Sequence, residues 1–238
     1  MIHDLIPQMA NLRAHWLGWS GGPGTVGEDL PIYRSEVPHN LLNGVLRVRG
    51  MPFEDAAEQA EKVLAGVPWR WWTGPDSDPG TGERLARRGY TRLGRMPVMA
   101  ADLTRMPGLT TPAGLTVEPV TGPRGVEEYV NACRTAFGLP DELHEGRADM
   151  IRLVGRMDGR VVATAAVVLS DGVAGLYWIA TAPEYRGRGI GAELTTAAMR
   201  IARDHGVDVA TLQASSMGEP VYRRLGFVEA GEVVLYRR

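Results

Sequence analysis

Cysteine is almost missing from this chain: Cys133 is the one thiol in 238 residues, which excludes an internal disulfide. Lysine is as scarce. Lys62 stands alone, so arginine carries nearly all the positive charge. The five histidines are dispersed without metal-ligand spacing, which argues against a structural zinc or any other metal site. Met1 to Ala10 lacks the basic, apolar and small-residue order of a signal peptide, and no window is apolar for long enough to span a bilayer. A soluble cytoplasmic protein is expected. The formal net charge of −2, with arginines spread rather than grouped into a stripe, argues against nucleic acid or an anionic membrane as partner.

What is present is a chain long enough to bury roughly 70% of the surface it exposes when unfolded. It is organised around Leu176 to Ala202. Leu176 to Ala180 has the length and composition of a buried strand, stopped by Thr181, Ala182 and Pro183. Gly187, Gly189 and Gly191 then alternate with Arg188 and Ile190, leaving the backbone free to bend and its N–H groups unshielded. A helix follows, with Ile190, Leu194, Ala197, Ala198, Ile201 and His205 on one face and Glu193, Arg200, Arg203 and Asp204 on the other, stopped by Gly206. Strand, glycine turn and helix N-terminus together suit a phosphate, and Arg186 and Arg188 favour a pyrophosphate.

Three nucleotide-type loops fit that description. A P-loop is excluded because no Gly-Lys-Ser or Gly-Lys-Thr closes the turn. Gly187, Gly189 and Ala192 formally satisfy a dinucleotide fingerprint, but Asp208 opens the next strand where an acidic residue should end it. The preceding segments, Val161 to Ser170 and Val173 to Ala180, read as an antiparallel hairpin joined at Asp171-Gly172 rather than as part of a βαβ unit. The third reading is carried by Arg186-x-x-Gly189-x-Gly191 and, further on, Tyr222-Arg-Arg-Leu-Gly226-Phe227. These two motifs, in this order, resemble the pyrophosphate loop and the later tyrosine helix of the GNAT superfamily of N-acetyltransferases.

The resemblance covers about Leu115 to Arg238 and implies an α/β fold: a mixed, mainly antiparallel sheet with helices on both faces. It also implies acetyl-coenzyme A as donor substrate and no metal. The central strands are expected to splay and admit the pantetheine arm between Tyr177 to Ala180 and Val209 to Gln213. Cofactor contacts carried over by position are Ile179, Ala180, Thr181, Arg186, Gly187, Arg188, Gly189, Ile190, Gly191, Ala192, Ser215 and Tyr222. The catalytic assignments are a backbone N–H at Ile179 or Ala180, freed by a strand bulge to hold the oxyanion, and Tyr222 as proton donor to the departing thiolate. Ser215 stands where many members have asparagine; Ser215 and Ser216 also suit a helix cap. No carboxylate lies on the central strand, and Glu184 belongs to the loop. Asp141, Glu142, His144 and Glu145, from the connection that commonly covers the acceptor, are the candidate bases.

Earlier in the chain, Asp4 to Trp19 reads as a helix, Ser20 to Gly27 as a loop, Leu41 to Arg49 as a strand, Phe53 to Leu64 as a helix and Val67 to Thr73 as a strand. Thr73 to Leu103 then repeats the C-terminal unit in miniature when Gly89-Tyr90 is aligned with Gly226-Phe227, with Leu85 opposite Tyr222. Nothing in residues 1–104 matches the glycine loop. Residues 1–104 are therefore expected to be a smaller, degenerate GNAT-like domain, 105–114 a linker and 115–238 the catalytic domain. Within 115–238, Val126 to Phe137 reads as a helix whose apolar stripe includes Cys133, a buried hydrophobe rather than a nucleophile. Trp69, Trp71, Trp72, Tyr177 and Trp178 are expected in core and interdomain packing.

The expected activity is direct transfer to a small-molecule primary amine in a ternary complex. The alternatives are a longer acyl donor, a hydroxyl acceptor, or an acyl-coenzyme A sensor without turnover. Self-association into a homodimer is left open.

Overall fold

Asp4 opens the first helix by accepting the Ile6 N–H at 3.1 Å. The computed structural model describes residues 1–20, 27–108, 110–143 and 149–238. The first half runs α1 (Leu5–Leu17), β1 (Ile32–Arg34), β2 (Asn43–Val45), α2 (Phe53–Val63), β3 (Arg70–Thr73), α3 (Thr81–Arg87) and β4 (Thr91–Asp102). The strand expected over Leu41 to Arg49 is regular only over Asn43–Val45, although the Leu46 and Arg49 N–H groups still donate to the Pro31 and Asp29 carbonyls at 3.0 Å each. The second half runs β5 (Thr116–Pro119), α4 (Gly122–Phe137), β6 (Ile151–Met157), β7 (Arg160–Ser170), β8 (Val173–Thr181), α5 (Ile190–Asp204), β9 (Val209–Gln213), α6 (Glu219–Arg224) and β10 (Val228–Arg237). The hairpin between β7 and β8 turns at Asp171 and Gly172, both at positive φ, as a two-residue connection requires.

All ten strands form one mixed sheet in the order β1-β2-β3-β10-β4-β9-β8-β7-β6-β5. Only β2 with β3 and β8 with β9 pair in parallel. The order contains a reciprocal exchange. β4, from the first half, pairs with β9 of the second; β10, from the second half, pairs with β3 of the first. The two exchanged strands lie side by side in the middle of the sheet. The halves are thus distinct in sequence and joined in hydrogen bonding. Residues 1–104 and 115–238 expressed separately would each carry a long strand with unmatched backbone groups. Both fragments are expected to aggregate alone and to recover a soluble complex when co-expressed; solubility and gel filtration of the three preparations check this.

Helices cover both faces. On one, α5 and α6 pack over Leu153, Val167, Leu176, Ala210, Leu212 and Phe227. α2 and α3 cover the same side of the first half, where Trp69, Trp71 and Tyr90 cluster. On the other face, α1 and α4 share a core with Trp72, Tyr177 and Trp178. The tryptophans expected in one group are therefore divided by the sheet, since Trp71 and Trp72 are neighbours on a strand and must point opposite ways.

α1 belongs to the first half in sequence but seats on the second. Asn11 Nδ2 donates to the Val168 and Val173 carbonyls at 3.0 and 3.3 Å, and its Oδ1 accepts from Tyr177 Oη at 2.8 Å. Gln8 Oε1 accepts from Thr211 Oγ1 on β9 at 3.1 Å. Gly175 is required beneath this helix, because a Cβ there would overlap Asn11 Oδ1 and the Tyr177 ring.

Candidate active site

β8 and β9 are parallel and pair only at Ala174↔Ala210 and Gly175↔Thr211. Beyond those residues no pairing joins them, and both strands run to the same edge of the sheet. The connection after β8 leads into α5 there, and the connection after β9 leads into α6. In open sheets the carboxyl edge of parallel strands is where ligands bind, because the helix N-termini and connecting loops converge on it.

A bulge sits on β8 just before that edge. Thr164 pairs with Ala180 and Ala166 with Tyr177, so Trp178 and Ile179 together face the single residue Ala165. Trp178 has φ +54°, a left-handed conformation rare for a bulky side chain, and its carbonyl accepts a 2.8 Å hydrogen bond from Thr164 Oγ1. The bulge takes in Trp178 and Ile179, so of the two expected positions Ile179 lies in it and Ala180 is register-paired with Thr164 beyond it. No feature of Tyr177-Trp178-Ile179 announces it, and Thr164, which holds it, carries no local signal at all.

The glycine loop follows. Gly187 and Gly189 have φ of +74° and +79°, and a Cβ on Gly187 would meet nothing within 4 Å. Gly191 sits on Thr181 Oγ1 with little room to spare, which brings the first turn of α5 against the end of β8. No side chain caps α5, so the N–H groups of its first turn stay open toward the loop. Arg186 and Arg188 are exposed and fold back on the loop, donating to the Thr181 and Glu184 carbonyls at 3.1 Å each. Ile190 is buried beneath the turn, Ala192 is half-buried, and Glu184 is exposed. The loop is an open cradle of N–H donors with two guanidiniums beside it, and it fits a pyrophosphate. Two expectations about α5 fail: His205, expected on the apolar face, is exposed and caps the end of the helix. Glu193 is buried, not on the solvent face, and its Oε1 accepts from Arg200 at 3.0 Å, since the α5 stripe is wider than the apolar residues alone suggested.

Across the splay, Ser215 Oγ accepts the Gly218 N–H at 3.1 Å and so caps the turn into α6. The Tyr222 ring lies over Gly218, where a Cβ would come within 2.8 Å of it, and packs against Phe227 at 5.8 Å between centroids. Gly218 was not singled out from sequence, yet it decides where the phenol sits. Among the described residues the Tyr222 hydroxyl has no hydrogen-bond partner. Burial pushes its pKa up to about 12.

Burial also raises Tyr33, Tyr90 and Tyr129. A phenol whose folded pKa lies above the unfolded value of about 10 stabilises the fold below pH 10 and loses that contribution as pH rises through the folded value. Stability is therefore expected to fall from about pH 10 upward. Urea titrations at pH 8 and at pH 11 check the sign, and Tyr222→Phe should lessen the fall.

Cys133 is buried under α4 with its thiol pushed up to about 11 by desolvation, and it is inert packing. Of the candidate bases, Asp141 and Glu142 are exposed, and Asp141 pairs with Arg134. His144 and Glu145, like the Ser20 to Gly27 loop apart from its ends, lie outside the described residues. A cavity of about 460 Å³ opens on the α4 side of β8 between Asn131, Thr135, Thr164, Ala180 and Glu184, against the bulge. Among the described residues no group of three or more possible ligands could hold a metal, and no helix is long and apolar enough to cross a membrane.

A splayed parallel pair, a bulged central strand and an open glycine turn at a helix N-terminus are the features that the GNAT resemblance implies. Residues 125–227 match the acetyltransferase (GNAT) family model, and this part of the chain is a GNAT acetyltransferase domain. The whole fold is similar to a GCN5-related N-acetyltransferase from Kribbella flavida, with TM-score 0.77, 23% identity and coverage of 98% of this chain and 95% of that one. It is also similar to a GCN5-related N-acetyltransferase-like protein from Streptococcus suis, with TM-score 0.63, 14% identity and 98% and 99% coverage. A GCN5-related N-acetyltransferase from Sphaerobacter thermophilus matches at TM-score 0.61 and 21% identity, over 78% of this chain and 65% of that one.

Proposed function

We propose that the protein transfers an acetyl group from acetyl-coenzyme A to a primary amine of a small molecule, by direct attack within a ternary complex. What supports this reading is the β8 bulge, the open glycine loop that follows β8 and the Tyr222 helix that follows β9, all on the carboxyl side of the two splayed strands. The pyrophosphate of the donor would lie on the N–H groups of Gly187 to Ala192, with Arg186 and Arg188 turning from the loop carbonyls to its oxygens. The thioester arm would enter between β8 and the Ser215 turn of β9. Backbone N–H groups at Ile179 or Ala180, held by the bulge, would stabilise the oxyanion that forms when the amine attacks the carbonyl carbon.

As the C–S bond breaks, the thiolate takes a proton from the Tyr222 hydroxyl, which burial keeps protonated at neutral pH, while the proton shed by the attacking amine passes to water and solvent returns one to the phenolate. The acceptor would approach through the α4-side cavity, which touches both Thr164 and Ala180. Cys133 is buried within the α4 packing, which supports direct transfer over a covalent acyl-enzyme. The resemblance of residues 1–104 to a half-domain without a glycine loop supports the reading of that part as non-catalytic. The test is calorimetric titration with acetyl-coenzyme A followed by thiol release against a panel of amino acids, polyamines and aminoglycosides. Saturable binding with release for one amine class is expected. Binding without release on any amine or hydroxyl acceptor would favour a sensor, and no binding would overturn the reading.

A further inference from the structure

The exchanged strands carry an internal symmetry. Under the alignment of Gly89-Tyr90 with Gly226-Phe227, Met96 falls on Val233, and these two residues are register partners. The pairs on either side exchange under the same alignment. Arg95↔Val234 maps onto Pro97↔Glu232, and Gly94↔Leu235 maps onto Val98↔Gly231. The two register irregularities fall at Leu93 and Ala230, which are also equivalent. A local two-fold axis therefore passes between Met96 and Val233. It relates β3-α3-β4 to β9-α6-β10, and the parallel pair β2–β3 to β8–β9.

The same operation carries the site at the start of α5 to the start of α2. A groove of about 1250 Å³ lies there, between the start of α2 and the outer side of α3. Its chemistry differs from that of the glycine loop. Pro52, Glu54 and Asp55 occupy the start of α2, so the helix end itself offers no anion site. Met51, Phe53 and Pro79 provide apolar surface, and α3 presents three arginines instead. Both carboxylates in the groove are already engaged: Asp78 Oδ2 accepts the Gly50 N–H at 2.8 Å, and Glu54 pairs with Arg88. Among the described residues, Arg84 and Arg87 have no carboxylate within ion-pair distance. Three arginines, Arg84, Arg87 and Arg88, stand against two carboxylates, Asp78 and Glu54, so the groove keeps a net positive charge beside an apolar floor.

We propose that this groove is a second anion site, taking a phosphate-bearing ligand with a flat apolar body: a nucleoside diphosphate, free or as the nucleotide end of coenzyme A. The flat body would lie on Met51, Phe53 and Pro79 while Arg84 and Arg87 hold the phosphates. Because guanidiniums replace a glycine cradle, binding there should weaken with salt more than binding at the α5 loop. The site does not depend on turnover by the second half.

The experiment is calorimetric titration of the full-length protein with ADP, coenzyme A and inorganic pyrophosphate. It uses wild type, Gly189→Glu, and an Arg84→Glu/Arg87→Glu double variant whose fold is checked by circular dichroism. Wild type is expected to take up two ADP, Gly189→Glu to keep one, and the arginine variant to lose that remaining class by about tenfold or more in affinity. Arg84→Gln/Arg87→Gln should weaken it in the same direction. ADP bound by Gly189→Glu without coenzyme A would identify the free nucleotide as the ligand; both bound would make the nucleotide end sufficient. Loss of all binding in the arginine variant, with Gly189→Glu unaffected, would leave this site standing and remove the α5 loop from the proposed function. One binding class abolished by Gly189→Glu and indifferent to the arginines would overturn the proposal, as would binding of pyrophosphate alone with no saturation by ADP.

Discussion

Gly189→Glu is expected to leave the protein folded and to lower acetyl-coenzyme A affinity by at least about a hundredfold, close to 3 kcal/mol. Two effects add. At φ +79° a side chain costs on the order of 1 kcal/mol of backbone strain. The new carboxylate then sits at the open start of α5, among the N–H groups on which the donor pyrophosphate would lie, and competes with it while satisfying the helix end. The second effect offsets the first in stability, so the melting temperature should move little while binding is lost. Gly189→Ala separates the two, because it carries the strain without the charge: it should lower stability by about 1 kcal/mol and leave donor affinity nearly unchanged. Calorimetry on the three proteins checks both. Wild-type affinity in Gly189→Glu would mean that the donor does not lie on this loop.

Tyr222→Phe should lower kcat by about 10²- to 10⁴-fold with the donor affinity unchanged. The phenol makes no protein hydrogen bond among the described residues, so removing it leaves no buried partner unpaired. The ring keeps its packing on Gly218 and Phe227. Turnover and stability are thus separable in this variant. They are not in Tyr222→Ala, where the lost ring should cost about 3–5 kcal/mol. Single-turnover thiol release, with urea unfolding beside it, is the measurement. Unchanged release in Tyr222→Phe would remove the phenol as proton donor and strengthen the sensor alternative.

The α5 site was legible at the level of its backbone because its signals are local. A glycine at positive φ, a strand stopped by Pro183 and an apolar stripe that starts at Ile190 are each written in a few adjacent residues. The same holds for the β7–β8 hairpin, whose Asp171-Gly172 turn sets the register of both strands. A helix was foreseen over Asp4 to Trp19 and lies at Leu5–Leu17. Its place was not, because docking on β8 depends on Asn11, Gly175 and Tyr177, more than 160 residues apart in sequence at the extremes.

Nearest-neighbour chemistry was enough to give an α/β chain with a glycine turn at a helix start and a tyrosine helix downstream of it. It was enough, too, to suggest that Thr73 to Leu103 repeats the final unit. Which strand each terminal segment pairs with was decided by the assembled sheet. β4 and β10 have similar burial patterns and equivalent turns before them, so nothing local distinguishes pairing within a half from exchange between halves. The choice comes from the self-complementary register of the two strands about Met96 and Val233, a contact between residues remote in the chain that exists only once both halves are present.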